Sequence, residues 1–200
     1  MAYLSDFINH VAIVQSNEAV MPKVIHLTNS GILLNEISER TLNKKIYHAF
    51  RFTEQSFAEE AAVVSYNWLI NNNYNEQLSS TDKKTVLVAA GILNRPALEL
   101  CVFRSSDYGT GARRFVRRLC RECKVYPPRE FTGSAFFYDG AAFCSGFVIA
   151  AYQAAIGEEL CPTRLAIDAR TTLPSLFFNY LKTNTFWDYV GKTQLRKKDA

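Results

Sequence analysis

Two hundred residues, 48% of them apolar and including 14 Phe and 10 Tyr, are enough to bury a sizeable core and exclude a disordered chain. The net charge of +4 is too mild to imply nucleic acid, and no apolar run approaches the ~20 residues of a membrane-spanning helix. Five cysteines, an odd number without framework spacing, fit reduced thiols better than a disulfide scaffold. With no secretory signal at the N-terminus, the chain reads as a single cytoplasmic domain, unless export proceeds without such a signal.

His10 to Gln15 (HVAIVQ) alternates and is rich in β-branched residues, which predicts a strand. A polar loop with Pro22 leads to a second strand, Lys23 to Leu27 (KVIHL). Asn29-Ser30-Gly31 marks a turn into a short third strand, Ile32 to Asn35. Lys45 to Phe52 (KIYHAFRF) alternates again, with Tyr47, Ala49 and Arg51 on one face and Ile46, His48, Phe50 and Phe52 on the other. Together these segments predict one small, mostly antiparallel sheet. Thr53 is the expected N-cap of a helix running to about Asn71.

A second helix is expected from Thr81 or Asp82 to about Leu93, then a short strand from Leu98 to Phe103 and a glycine-containing loop from Ser105 to Gly111. Ala112 to Lys124 reads as a basic helix and Val125 to Gly133 as a loop. In Ala142 to Gly157 (AFCSGFVIAAYQAAIG), Phe147, Ala150, Ala151 and Ala154 recur at helical spacing, and Gly157 falls where a left-handed cap would end the helix. Beyond Pro162 the pattern is irregular. Pro174 to Leu181 suggests a short helix, and Phe186-Trp187 an apolar anchor.

The chemistry centres on Cys144, at or just before a helix start. Unpaired N–H groups and the positive end of the helix dipole favour a thiolate there, although the same position also suits a small buried hydrophobe. A nucleophilic thiolate needs a base, and the base needs an orienter that fixes its tautomer. If the first two strands pair through the Ser16 to Pro22 loop, His10 and His26 come together on one face and supply both.

The order HVAIVQ, VIHLTNSGILLNEIS, KIYHAFRF, a helix, a Tyr-Gly loop and finally FCSGFVIAAYQAAIG resembles the permuted papain-like branch of the NlpC/P60 superfamily. That branch includes the bacterial YiiX/YebB-like proteins and, more distantly, lecithin:retinol acyltransferase. The resemblance implies an α+β, circularly permuted papain-like fold with a small antiparallel sheet packed on helices and the nucleophile helix late in the chain. It also implies a core over about residues 8–160, with 161–200 as an elaboration packing back. His10 becomes the general base, His26 the third polar residue and Cys144 the nucleophile of a cysteine hydrolase or acyl transferase. Three departures stand out: Ala12 occupies a position where the family has glycine, Gly146 one where an acidic residue is common, and the customary Gly-Asp strand before the histidine is reduced to LSDFIN.

The Cys144 backbone N–H is the simplest oxyanion donor. Tyr108, in the aromatic-glycine loop, and Ser145, next to the nucleophile, are candidate oxyanion or substrate contacts. The resemblance admits peptide, N-acyl and lipid substrates, with no cofactor and no nucleic acid. Arg114, Arg117, Arg118 and Arg121 form a ridge on the basic helix, either a solvated face or a contact for an anionic membrane surface or acidic protein. A silent papain-like binding module using that ridge is the alternative to an enzyme. Cys120 and Cys123 form a C-x-x-C, but no second pair completes a four-ligand zinc site, so no metal is expected; a redox pair is the remaining alternative to core packing.

Overall fold

Alternation and one tight turn build the first sheet. The computed structural model describes residues 10–16, 22–28, 30–37, 46–74, 79–80, 127, 136, 141–170 and 172–192. Strands β1 (Ile13–Ser16), β2 (Lys23–Thr28) and β3 (Gly31–Glu36) form an antiparallel meander in that order. Ile13 lies opposite Ile25, and Leu27 opposite Ile32. All four are buried on one face, and the period-2 pleat puts Val14, His26, Leu33 and Asn35 on the other. The β2–β3 turn depends on Gly31, whose φ of 104° only glycine adopts readily. The Thr28 hydroxyl closes this turn, donating to the Gly31 carbonyl at 2.9 Å and accepting from the Ser30 N–H at 3.1 Å.

The fourth strand, β4 (His48–Phe52), does not join this meander. It pairs antiparallel with β7 (Trp187–Lys192), with Phe52 opposite Trp187 and a bulge between Ala49 and Phe50. A short parallel contact joins β5 (Ser79–Ser80) to β6 (Ala141–Ala142). The expected single sheet is therefore corrected to separate small ladders among the described residues. Alternation marks a segment as a strand but does not name its partner. Here the segment taken as an anchor is the partner: Trp187 packs its ring 5.0 Å from Phe52 and 4.8 Å from Tyr152.

Helix α1 (Gln55–Tyr74) buries Ala61, Val64, Ser65 and Trp68, the i, i+3, i+4, i+7 stripe of a helix facing a core. Thr53 is not its cap. The Thr53 N–H and hydroxyl both go to the Phe186 carbonyl, at 3.0 and 3.3 Å, and the Glu54 carbonyl accepts the first-turn N–H groups of Phe57 and Ala58. Glu54 also clamps Arg164 through two oxygens, at 2.5 and 3.3 Å, tying the start of α1 to the short helix α3 (Cys161–Arg164).

Helix α2 (Cys144–Ile156) is the centre of the molecule: every residue except Tyr152 is buried. A helix apolar on all sides must be surrounded, and α2 packs on α1, β2, α3 and α4 (Pro174–Thr183). Phe147 meets Trp68 of α1 edge-on at 5.8 Å. Gly157 ends the helix, its N–H donating to the Gln153 carbonyl at 2.9 Å. Its φ of 83° requires glycine, but ψ is 157°, so the chain leaves extended instead of through the expected left-handed cap.

The described residues between 161 and 192 contribute to the core. Cys161, Leu165, Ala169, Phe177, Leu181 and Trp187 belong to the same buried cluster as α2. Their irregular stretch is held by Gln153, which donates Nε2 to the carbonyls of Leu165 and Ile167 at 3.2 and 2.6 Å. The Tyr180 hydroxyl accepts from the Ala166 N–H at 2.9 Å and from the Asn184 amide at 2.7 Å. The molecule is thus a mixed α+β domain of small antiparallel ladders packed on helices. None of its described helices is long and apolar enough to cross a membrane.

Candidate active site

Cys144 is the first residue of α2. The preceding Phe143 is extended (φ −80°, ψ 152°) and supplies no side-chain cap, so the first-turn N–H groups face outward from the helix start. No acidic residue lies in that turn to oppose a thiolate. The dipole of a 13-residue helix therefore acts on this sulfur with its positive end. Cys144 is 6% exposed and belongs to the core cluster that includes Ile13, Ile25 and Leu27 of the first sheet, with Val11 packed against it.

Ser145 is positioned for a different job from the one expected. It is fully buried, and its hydroxyl donates to the Thr172 carbonyl at 2.5 Å. The Thr172 hydroxyl in turn donates to the Asp168 carbonyl at 2.5 Å, and the buried Asp168 carboxylate accepts from the Arg170 N–H at 2.7 Å and its guanidinium at 3.3 Å. Of the contacts expected at Ser145, the hydroxyl is thereby committed to Thr172, which leaves the backbone N–H as the donor this residue can offer an oxyanion. A hydroxyl already spent on a buried carbonyl holds the 168–172 segment against the helix start and has no donor left for a ligand.

The two histidines do come together. His10 precedes the β1 ladder, and His26 is in β2 on the face shared with Asn35. His10 Nε2 and His26 Nδ1 are 2.6 Å apart, with the rings edge-to-face at 83° and centroids 4.9 Å apart. Two ring nitrogens at that separation hold one proton between them; two protons would repel, and none would oppose lone pairs. On its other side, His26 Nε2 is 2.8 Å from Asn35 Nδ2, which faces it as donor. Asn35 lies opposite Val24, and His26 opposite Leu33, so Asn35 reaches His26 across the diagonal of the ladder.

Asn35 was not among the residues expected from the sequence. The available signal was the turn at Gly31, which fixes the register and hence the diagonal; composition alone carries none. The third histidine, His48, belongs to the β4–β7 ladder, where its ring nitrogen meets the Tyr189 hydroxyl at 2.9 Å. Cys161 is chemically unlike a nucleophile: burial, aided by the charge of Glu158, pushes its thiol up to about 12, and its sulfur donates to the Gln153 carbonyl. Among the described residues, no group of three or more His, Cys, Asp or Glu side chains is placed to hold a metal ion. Tyr108, Arg114, Arg117, Arg118, Arg121, Cys120 and Cys123 lie outside the described residues, as do the helices and strand expected between 81 and 124.

The imidazole pair lies on the first sheet, with His26 on the face opposite Ile25 and Leu27, and Cys144 starts the helix that packs on that sheet's middle strand. No protein-family model matches the chain, and neither a curated protein nor a solved structure matches it.

Proposed function

We propose that this protein is a cysteine hydrolase or acyl transferase on a permuted papain-like scaffold, with Cys144 as nucleophile, His10 as base and His26 as orienter. The observation that carries the reading is the 2.6 Å contact between His10 and His26. Engaging Nε2 of His10 leaves Nδ1 as the nitrogen that serves the thiol. His10 Nδ1 takes the Cys144 proton, and the thiolate attacks an amide or ester carbonyl. The resulting oxyanion is met by N–H groups at the start of α2, with the Cys144 N–H as first donor. The tetrahedral intermediate collapses as the C–N or C–O bond breaks and His10 returns its proton to the leaving group. Water or another acceptor, deprotonated by His10, then cleaves the thioester. The substrate class is an acyl compound: a peptide, an N-acyl amide or a lipid ester.

Iodoacetamide labelling of the folded protein, with the modified peptide quantified by mass spectrometry across pH, tests the reading without a known substrate. Cys144 is expected to react well below the free-thiol value of about 8.5, and His10→Ala to abolish that low-pH reaction. A Cys144 that reacts only as a free thiol would, and with the same profile in His10→Ala, sink the assignment.

A further inference from the structure

We infer that Asn35 is a fourth member of this site, a positioning residue whose carboxamide oxygen selects the His10 tautomer that can act as base. The inference rests on the proposed cysteine chemistry. Its basis is the unbroken run of ring and amide contacts, Asn35 to His26 at 2.8 Å and His26 to His10 at 2.6 Å.

Each ring nitrogen in this run is either donor or acceptor, and fixing one fixes them all. In the structure Nδ2 faces the ring, and Asn35 donates to His26 Nε2. A neutral His26 then carries its proton on Nδ1 and donates to His10 Nε2, so a neutral His10 holds its own proton on Nδ1. That nitrogen is then already protonated and cannot accept a thiol proton. A half-turn of the carboxamide exchanges N–H for oxygen in nearly the same volume. Now His26 Nε2–H donates to Asn35 Oδ1, His10 Nε2–H donates to His26 Nδ1, and His10 Nδ1 carries a lone pair.

Only the second arrangement lets His10 receive the Cys144 proton at Nδ1 and hold the imidazolium with its other N–H satisfied. The proton leaves sulfur, binds Nδ1, and no other proton along the run has to move. Asn35 suits this role because it is exposed enough to turn and reaches His26 from a fixed ladder position. The charged neighbours on the same two strands, Lys23 and Glu36, face each other at 3.8 Å, one rung beyond Asn35.

Two substitutions separate acceptor from donor. Asn35→Asp keeps an acceptor and removes the N–H; Asn35→Leu removes both. Iodoacetamide labelling of Cys144 is measured from pH 5 to 10 for each and for His10→Ala, with urea midpoints to check folding. Asn35→Leu is expected to lower labelling at pH 6 about tenfold, the effect of one unit in thiolate pKa. Asn35→Asp is expected to keep wild-type labelling at pH 6, and to move the high-pH inflection upward as the carboxylate stabilises the imidazolium. Nitrogen-15 spectra of the imidazoles should show His26 protonated on Nε2 in the wild type. If His10→Ala abolishes low-pH labelling but Asn35→Leu matches wild type, the role of Asn35 is overturned while the enzyme reading stands. Loss in Asp equal to that in Leu, or His26 protonated on Nδ1, overturns the acceptor polarity. If His10→Ala changes nothing, both readings fall.

Discussion

Replacing Ser145 with Ala separates a hydroxyl that holds the fold from one that handles substrate. The hydroxyl is fully buried and donates to the Thr172 carbonyl at 2.5 Å. An ordinary hydrogen bond contributes only about 1 kcal/mol net, but stranding a buried acceptor costs about 1–3 kcal/mol. The alanine methyl keeps the helix packing, so the expected loss is about 2 kcal/mol. In a chain of this size that lowers Tm by about 4–8 °C, at about 2–4 °C per kcal/mol. Urea unfolding followed by far-UV circular dichroism should show a lower midpoint with an unchanged slope. Labelling of Cys144 in the folded variant should keep the wild-type rate. An unchanged Tm together with a many-fold slower Cys144 reaction would refute the reasoning and return Ser145 to a ligand-facing role.

Other outcomes follow from neighbouring contacts. Phe147→Ala removes a fully buried ring and its edge contact with Trp68, and should cost about 3–5 kcal/mol in a denaturant titration; Phe147→Leu should cost clearly less. Glu54→Gln breaks the charge-assisted clamp on Arg164, and should cost about 1 kcal/mol in the same titration, with most of the difference lost in 1 M salt. Burial raises Cys161 from 9.0 to about 12 and Tyr152 from 10.0 to about 12, so the folded state favours their protonated forms. The stability they contribute is whole below about pH 9 and lost as pH rises through 9 to 12, where only the unfolded chain ionises. Urea midpoints should fall across that window, and Cys161→Ala should flatten the decline; a flat wild-type profile would contradict this.

The late helix and the histidine pair were legible because each rests on a local period. Apolar residues at helical spacing predicted Cys144 at a helix start, and alternation through HVAIVQ and KVIHL put His10 and His26 on one face. What escaped were choices made by distant parts of the chain. The partner of β4 is supplied by residues 187–192, where a Phe-Trp pair looks like an anchor because strand pairing leaves no local mark. Thr53 has the chemistry of a cap, but the Phe186 carbonyl competes for both of its donors. Ser145 was expected to contact an oxyanion or substrate, and only the packing of the 168–172 segment shows where its hydroxyl proton goes. Asn35 has no signature of its own; its contact exists because one glycine sets the register of two strands.

The pairing of β4 with β7 has a consequence for how the chain is made. His48 and its contact Tyr189 are 141 residues apart. At about 5–20 residues per second, translation leaves Phe50 and Phe52 without their strand partner for roughly 7–30 s. Through that interval β4 is an open, aromatic edge, able to pair with any other emerging strand. Folding yield should therefore depend on the speed of synthesis and on holdase chaperones, even if the finished domain is stable.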